Sequence, residues 1–108
     1  MNFELEKKWR ETVNSISKNF EEKLDMQAIL FLIGLQELNK DFQQYSKDKK
    51  LEIMHIAICA LLEPAGYYKY IGRDEDGWPH FENTKKIPAL NEEEQENMMK
   101  EAIIEYFQ

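Results

Sequence analysis

The sequence predicts a mainly α protein, a compact bundle of about four helices with one β-hairpin before the last helix. Two helix-length stretches, Met26 to Leu38 and Leu51 to Leu62, are apolar on nearly every face. Aromatic residues on both sides of a glycine-bounded acidic turn indicate the hairpin. A length of 108 residues fits one domain, and we expect residues 1–108 to form it, with the hairpin at about 67–82.

The first helix is predicted from a stripe of apolar residues near the amino terminus. Their spacing of four, four, three and four residues places them on one side of a helix, because an α-helix repeats every 3.6 residues. Charged residues of both signs occupy the opposite side, which indicates a solvated face. The stripe consists of Leu5, Trp9, Val13, Ile16 and Phe20.

The second and third helices are the apolar stretches. We expect the second to run to about Phe42, and Gly34 in its middle predicts the close approach of another backbone, since glycine costs about 1 kcal/mol against alanine there. Asp48 is the predicted cap of the third helix, which must end at Glu63 because Pro64 disfavours helical geometry in the residue before it. Neither helix leaves a wide polar sector, so both must be buried in the chain or against a partner.

The hairpin follows. Tyrosines and Ile71 precede the turn, and Trp78 with Phe81 follows it. If Ile71 pairs with Trp78 across the turn, the alternation of side chains along each strand assigns the residues to two faces of the hairpin. The first holds Tyr68, Tyr70, Pro79 and Phe81, and the second holds Lys69, His80 and Glu82.

The last helix is predicted to begin after Asn91, with Glu94 in the position of a capping-box partner. Its apolar stripe reaches Tyr106 and Phe107. Because these two aromatics look exposed, we expect the helix to take part in self-association, and the predicted state is a homodimer.

Charge and composition exclude several function classes. A formal net charge of −7 makes nucleic acid an unfavourable partner, since the phosphate backbone is also negative. The longest apolar run, Ala28 to Leu35, is far shorter than the roughly 20 residues that span a bilayer. The single cysteine, Cys59, cannot form an intrachain disulfide, and Met1 to Glu4 lack the layout of a secretory signal. We therefore expect a cytoplasmic protein with no membrane span.

The hairpin carries the predicted partner-binding residues, although the sequence does not identify the partner. Aromatic and arginine side chains concentrate binding energy at protein interfaces, so Trp78 and Arg73 lead the set. The alternative for Trp78 is a role in the core, because a hairpin on a small helical body needs aromatic packing to stay attached. The full set is Arg73, Trp78, His80, Tyr67 and Lys69. The resulting hypothesis is a non-enzymatic protein-interaction or regulatory module that self-associates and needs no cofactor.

A small metal- or ligand-binding domain is the first alternative. Glu52, His55 and Cys59 follow one another at three- and four-residue steps, so they share one face of the third helix. His and Cys one turn apart can both reach a zinc ion, but a stable site usually needs four ligands, and only His80 could complete the set. A simpler explanation of the same pattern is that these residues lie at the edge between the buried and the solvated side of the helix, where Cys59 acts as a small hydrophobic residue.

A winged-helix-like DNA-binding regulator is the second alternative, because helices, hairpin and final helix follow one another in that order. The third helix argues against it, since Ile53, Ile56 and Ile58 offer nothing to base edges or phosphates. Catalysis is also unsupported, since the sequence shows no nucleophile with an adjacent base and no phosphate-binding glycine loop.

Overall fold

The computed structural model describes residues 3–41 and 43–108, which form four helices and a two-stranded antiparallel sheet. This architecture confirms the predicted fold class, including the position of the hairpin before the last helix. The helices are α1 (Phe3–Ser17), α2 (Met26–Leu38), α3 (Lys47–Leu62) and α4 (Glu92–Tyr106). The strands are β1 (Tyr68–Arg73) and β2 (Pro79–Asn83).

The backbone contacts divide the chain into two units. One, which we call the terminal unit, contains α1 and α4, and the other, the central unit, is Met26–Ile87 with α2, α3 and the hairpin. The prediction of one domain for residues 1–108 stays a prediction. No helix within the described ranges is both long and apolar enough to cross a membrane.

The terminal unit pairs α1 with α4. Leu5 and Val13 of the predicted stripe are buried, but α1 ends at Ser17, so Phe20 lies beyond the helix and is exposed. Asn91 caps α4 and forms the predicted capping box with Glu94, in which each side chain bonds to the other residue's backbone N–H.

The central unit is built on the packing of α2 against α3. Ile29, Ile33 and Ile53 are fully buried, as the apolar character of the two stretches predicts. Gly34 lies against the backbone of Ile53, which confirms the close approach predicted there. The second helix ends at Leu38, not at about Phe42, and Phe42 itself lies outside the described residues.

The ends of α3 are set by local sequence. Ser46 is the N-cap, and its hydroxyl accepts a hydrogen bond from the Lys49 N–H at 3.1 Å. The prediction of Asp48 as the cap is therefore wrong, since Asp48 lies in the first turn. At the other end α3 stops at Leu62 with Glu63 as its C-cap, as Pro64 predicts.

The hairpin register differs from the prediction along the whole length of the strands. Tyr70 pairs with Phe81 and Gly72 with His80, so Ile71 is the extra residue of a β-bulge. The predicted pairing of Ile71 with Trp78 is therefore wrong. Below the bulge the predicted faces are confirmed, because Lys69 lies opposite Glu82 while Tyr70 and Phe81 share the other face.

Candidate functional site

The hairpin tip is organised by one carboxylate. Asp74 Oδ1 accepts hydrogen bonds from the backbone N–H groups of Asp76 at 2.9 Å and Trp78 at 3.0 Å. Its other oxygen, Oδ2, lies 2.9 Å from His80 Nε2. The hydrogen bond with His80, followed by those from the two backbone N–H groups, lowers the pKa of Asp74 below its usual value. Asp74 therefore stays ionised and holds the turn in one geometry.

Arg73 ties this tip to the end of α2. One guanidinium nitrogen donates to the carbonyl of Gly77 at 2.8 Å, and the other donates to the carbonyl of Glu37 at 2.7 Å. The backbone of Glu37 belongs to the last turn of α2, whose final carbonyl groups lack partners within the helix. Arg73 thus positions the tip beside the carboxyl end of α2.

Trp78 is held between the core and solvent. Its half-buried side chain packs against a buried cluster of Leu35, Leu38 and Ile53. The Lys49 ammonium lies 4.7 Å from the centre of the Trp78 ring, and the same ammonium is 3.3 Å from the Glu52 carboxylate. The Trp78 indole therefore packs against the core and also makes a cation–π contact with Lys49.

A cleft of about 540 Å³ opens beside Trp78 in the central unit. We call it the tip cleft. The end of α2, the beginning of α3 and the hairpin tip each supply part of its wall. Its lining residues are Leu38, Asn39, Lys40, Tyr45, Lys49, Glu52, Ile53, Asp74, Asp76, Gly77 and Trp78.

The predicted partner-binding residues fall into two groups. Arg73, Trp78 and His80 meet at the hairpin tip, where Asp74 bonds to His80 and to the Trp78 N–H, and Arg73 donates to the Gly77 carbonyl. Tyr67 and Lys69 lie toward the opposite end of the hairpin, where the Lys85 ammonium is 4.8 Å from the Tyr67 ring centre and Lys69 faces Glu82. Of the five, Trp78 lines the tip cleft, Arg73 and His80 lie at the same hairpin tip without lining the cleft, and Tyr67 and Lys69 lie apart from it.

Sequence reasoning missed the helical half of the cleft. Tyr45 packs on the buried cluster beneath Trp78, and Lys49 and Glu52 form the wall facing it. The short spacing between Lys49 and Glu52 suggests an ion pair on a helix, but it does not indicate that the hairpin tip lies over that helical turn. This information comes only from the tertiary fold.

The residues of the metal alternative are engaged elsewhere. Cys59 Sγ lies 3.5 Å from His55 Nε2, but Glu52 pairs with Lys49 and His80 with Asp74. Burial raises the pKa of the Cys59 thiol to about 11, which opposes the thiolate that zinc requires. Across residues 3–41 and 43–108, no group of three or more His, Cys, Asp or Glu side chains is arranged to hold a metal ion.

Comparison with known proteins adds no functional residue to this picture. No protein-family model matches the chain, and neither a curated protein nor a solved structure matches it. Function is therefore inferred from the chemistry of the tip cleft, which joins an aromatic ring, an apolar floor and charged groups of both signs.

Proposed function

We propose that the protein is a non-enzymatic interaction module that binds a segment of another protein in the tip cleft. The observation that carries this proposal is the position of Trp78, which is anchored on the core and lines an open cleft. An indole fixed in this way offers a large contact area at a small entropy cost, because its side chain is already ordered before binding.

The floor of the cleft favours an apolar or aromatic anchor on the partner. Leu38 and Ile53 are buried residues that reach the cleft wall, and Tyr45 adds a half-buried ring. An inserted side chain would extend the existing cluster and would remove further apolar surface from water.

The rim favours a basic residue next to that anchor. Glu52, Asp74 and Asp76 supply three carboxylates, whereas Lys40 and Lys49 supply two ammonium groups, one of them paired with Glu52. The chain as a whole has a net charge of −7, so a basic segment is also attracted from a distance.

We further propose that the module works in the cytoplasm. Cys59 is a free, buried thiol, and a reducing compartment preserves thiols in this form.

A peptide-display selection against the whole chain tests the proposal. We expect it to enrich peptides that place an aromatic or large apolar residue beside Lys or Arg. A Trp9→Phe variant leaves Trp78 as the remaining tryptophan, so its fluorescence should change on titration with a selected peptide. Peptides that bind without altering the Trp78 emission would contradict the proposed site.

Charge reversal at the rim provides the matched comparison. Asp76→Lys changes an exposed carboxylate that lines the cleft, whereas Glu22→Lys makes the same charge change at an exposed position of the terminal unit. We expect Asp76→Lys to weaken binding of a selected basic peptide about tenfold. Glu22→Lys should have only a small, salt-dependent effect, and equal losses in both variants would argue for non-specific attraction.

A further inference from the structure

The hydrogen bonds of the hairpin show which backbone groups of β2 face outward. The Tyr70 N–H donates to Glu63 Oε2 at 2.7 Å, so it points away from β2. Tyr70 and Phe81 are therefore a non-hydrogen-bonded pair of the antiparallel ladder. It follows that the N–H and C=O of Phe81 also point away from the hairpin, on the outer edge of β2.

A second hydrogen bond shows the same alternation of inward- and outward-facing backbone groups farther along β2. The Thr84 N–H donates to the Tyr67 carbonyl at 3.0 Å, so Thr84 faces inward and its neighbour Asn83 faces outward. Pro79 fits the pattern as well, because an outward position is where a strand tolerates a residue without an N–H. The backbone groups of Pro79, Phe81 and Asn83 thus point toward the outer edge of β2, where Asn83 is exposed, Phe81 is half-buried and Pro79 is buried.

The two edges of the sheet differ in protection. Glu63, at the end of α3, caps the β1 edge at Tyr70, and β1 is the strand that packs along α3. Within the described part of the chain, no hydrogen bond uses the outward N–H groups of Phe81 and Asn83. Unpaired strand edges are templates for another strand, and two strands alone are only marginally stable.

We propose that this edge pairs with β2 of a second copy of the chain, antiparallel and with a two-fold axis at Phe81. In that register the two Phe81 residues form a hydrogen-bonded pair, and each Asn83 N–H donates to the partner's Pro79 carbonyl. The result is a four-stranded sheet formed by a symmetric dimer. This proposal goes beyond the tip cleft and does not depend on it.

The sequence of β2 is complementary to itself in this register. His80 lies opposite the partner's Glu82, and Glu82 opposite the partner's His80, so both flanking pairs join a basic and an acidic side chain. On the other face Phe81 meets the partner's Phe81. The Tyr70 ring already lies 5.6 Å from the Phe81 ring, so four aromatic rings form a continuous row across the dimer.

Sedimentation equilibrium of the full chain over a wide concentration range tests the proposal. We expect a reversible dimer for the wild type and for Asn83→Ala, which keeps the backbone N–H. Asn83→Pro removes that N–H without breaking a bond inside the hairpin, and the dimer loses two hydrogen bonds by symmetry. Its association should be weaker by about tenfold or more, with the circular dichroism unchanged.

Cross-linking tests the register without using proline. In a Cys59→Ala background, Phe81→Cys places two thiols on residues whose Cα atoms are about 5.5 Å apart in a hydrogen-bonded pair, within disulfide range. Oxidised glutathione should therefore link Phe81→Cys chains. The control Glu82→Cys should stay unlinked, because residue 82 faces the partner's residue 80.

Three results would overturn the proposal. The first is a wild-type protein that stays monomeric at millimolar concentration, and the second is a folded Asn83→Pro variant that associates as strongly as Asn83→Ala. The third is a disulfide that forms at residue 82 in preference to residue 81. If Asn83→Pro loses its fold, the cross-linking comparison decides alone.

Discussion

Gly34 of α2 lies directly against the main chain of Ile53 in α3. A Cβ at residue 34 would sit 2.6 Å from Ile53 Cγ2 and still closer to the Ile53 carbonyl oxygen. Since Ile53 is fully buried, neither atom can move away freely. The two helices therefore pack at a distance that only glycine allows.

We expect Gly34→Ala to destabilise the protein despite the better helix propensity of alanine. Overpacking costs about 1–3 kcal/mol, whereas the gain in propensity offsets at most about 1 kcal/mol. Urea denaturation followed by circular dichroism measures the difference. Gln36→Ala, at an exposed position of the same helix, should leave stability nearly unchanged, and a neutral Gly34→Ala would refute the close packing.

The start of α3 gives a prediction that separates two neighbouring residues. Ser46→Ala should lower the free energy of unfolding by about 1 kcal/mol, because the Lys49 N–H loses its acceptor. Asp48→Ala should cost only a few tenths of a kcal/mol, since Asp48 contributes only through the helix dipole. The reverse order in thermal unfolding would restore Asp48 as the cap.

Sequence reasoning succeeded where the cause of a structure is local. Pro64 ends α3 through its own ring, and Asn91 with Glu94 forms a box that closes within one helical turn. It failed where two neighbouring residues could each play the same role, as at the start of α3, where Ser46 and Asp48 are both possible N-caps. It also failed in the hairpin register. Tyr70 pairs with Phe81, two residues beyond the partner that the prediction implied, and the bulge at Ile71 adds one more residue to the shift, while neither change leaves a mark in the alternating pattern.

For the tip cleft, the sequence predicted the hairpin residues but not the helical residues of α3. Trp78 and Arg73 carry compositional signals of contact residues, but Lys49 and Glu52 look like any ion pair on a solvated helix. Lys49 differs from such a residue because its ammonium contacts the Trp78 ring of the hairpin tip, which the hydrogen bond from Arg73 to the Glu37 carbonyl holds beside the end of α2. That bond joins residues far apart in sequence, so no short-range pattern reveals it.

The terminal unit contains a buried cation that the apolar stripe of α4 did not predict. Lys100, whose side chain is only 10% exposed, lies 2.9 Å from Glu6 of α1 and 3.4 Å from Glu96. Burial alone would lower the pKa of Lys100, but hydrogen bonds and charges from Glu6 and Glu96 outweigh it and raise the pKa. Lys100 therefore keeps its positive charge at neutral pH, and the stability that this charge contributes is lost as the pH rises through the raised pKa.

Removing the carboxylates one at a time should rank their contributions. Glu6→Gln should destabilise the protein by about 1 kcal/mol, because it leaves the buried Lys100 with one exposed partner. Glu96 is 59% exposed, so Glu96→Gln should cost less. A double-mutant cycle with Lys100→Met measures the coupling directly, and equal losses from both glutamines would contradict this ranking.

Acidification should loosen the hairpin tip through Asp74. The pKa of this carboxyl is lowered in the folded chain, so its bonds to His80 and to the N–H groups of Trp78 and Asp76 contribute stability above the unfolded pKa, about 4. That contribution is lost as the pH falls through the lower, folded value. In a Trp9→Phe variant, Trp78 emission should therefore change below about pH 4, as the indole gains exposure. Asp74→Asn should remove this transition, whereas Asp48→Asn, on an exposed carboxylate of α3, should retain it. A transition that survives in Asp74→Asn would assign the change to another group.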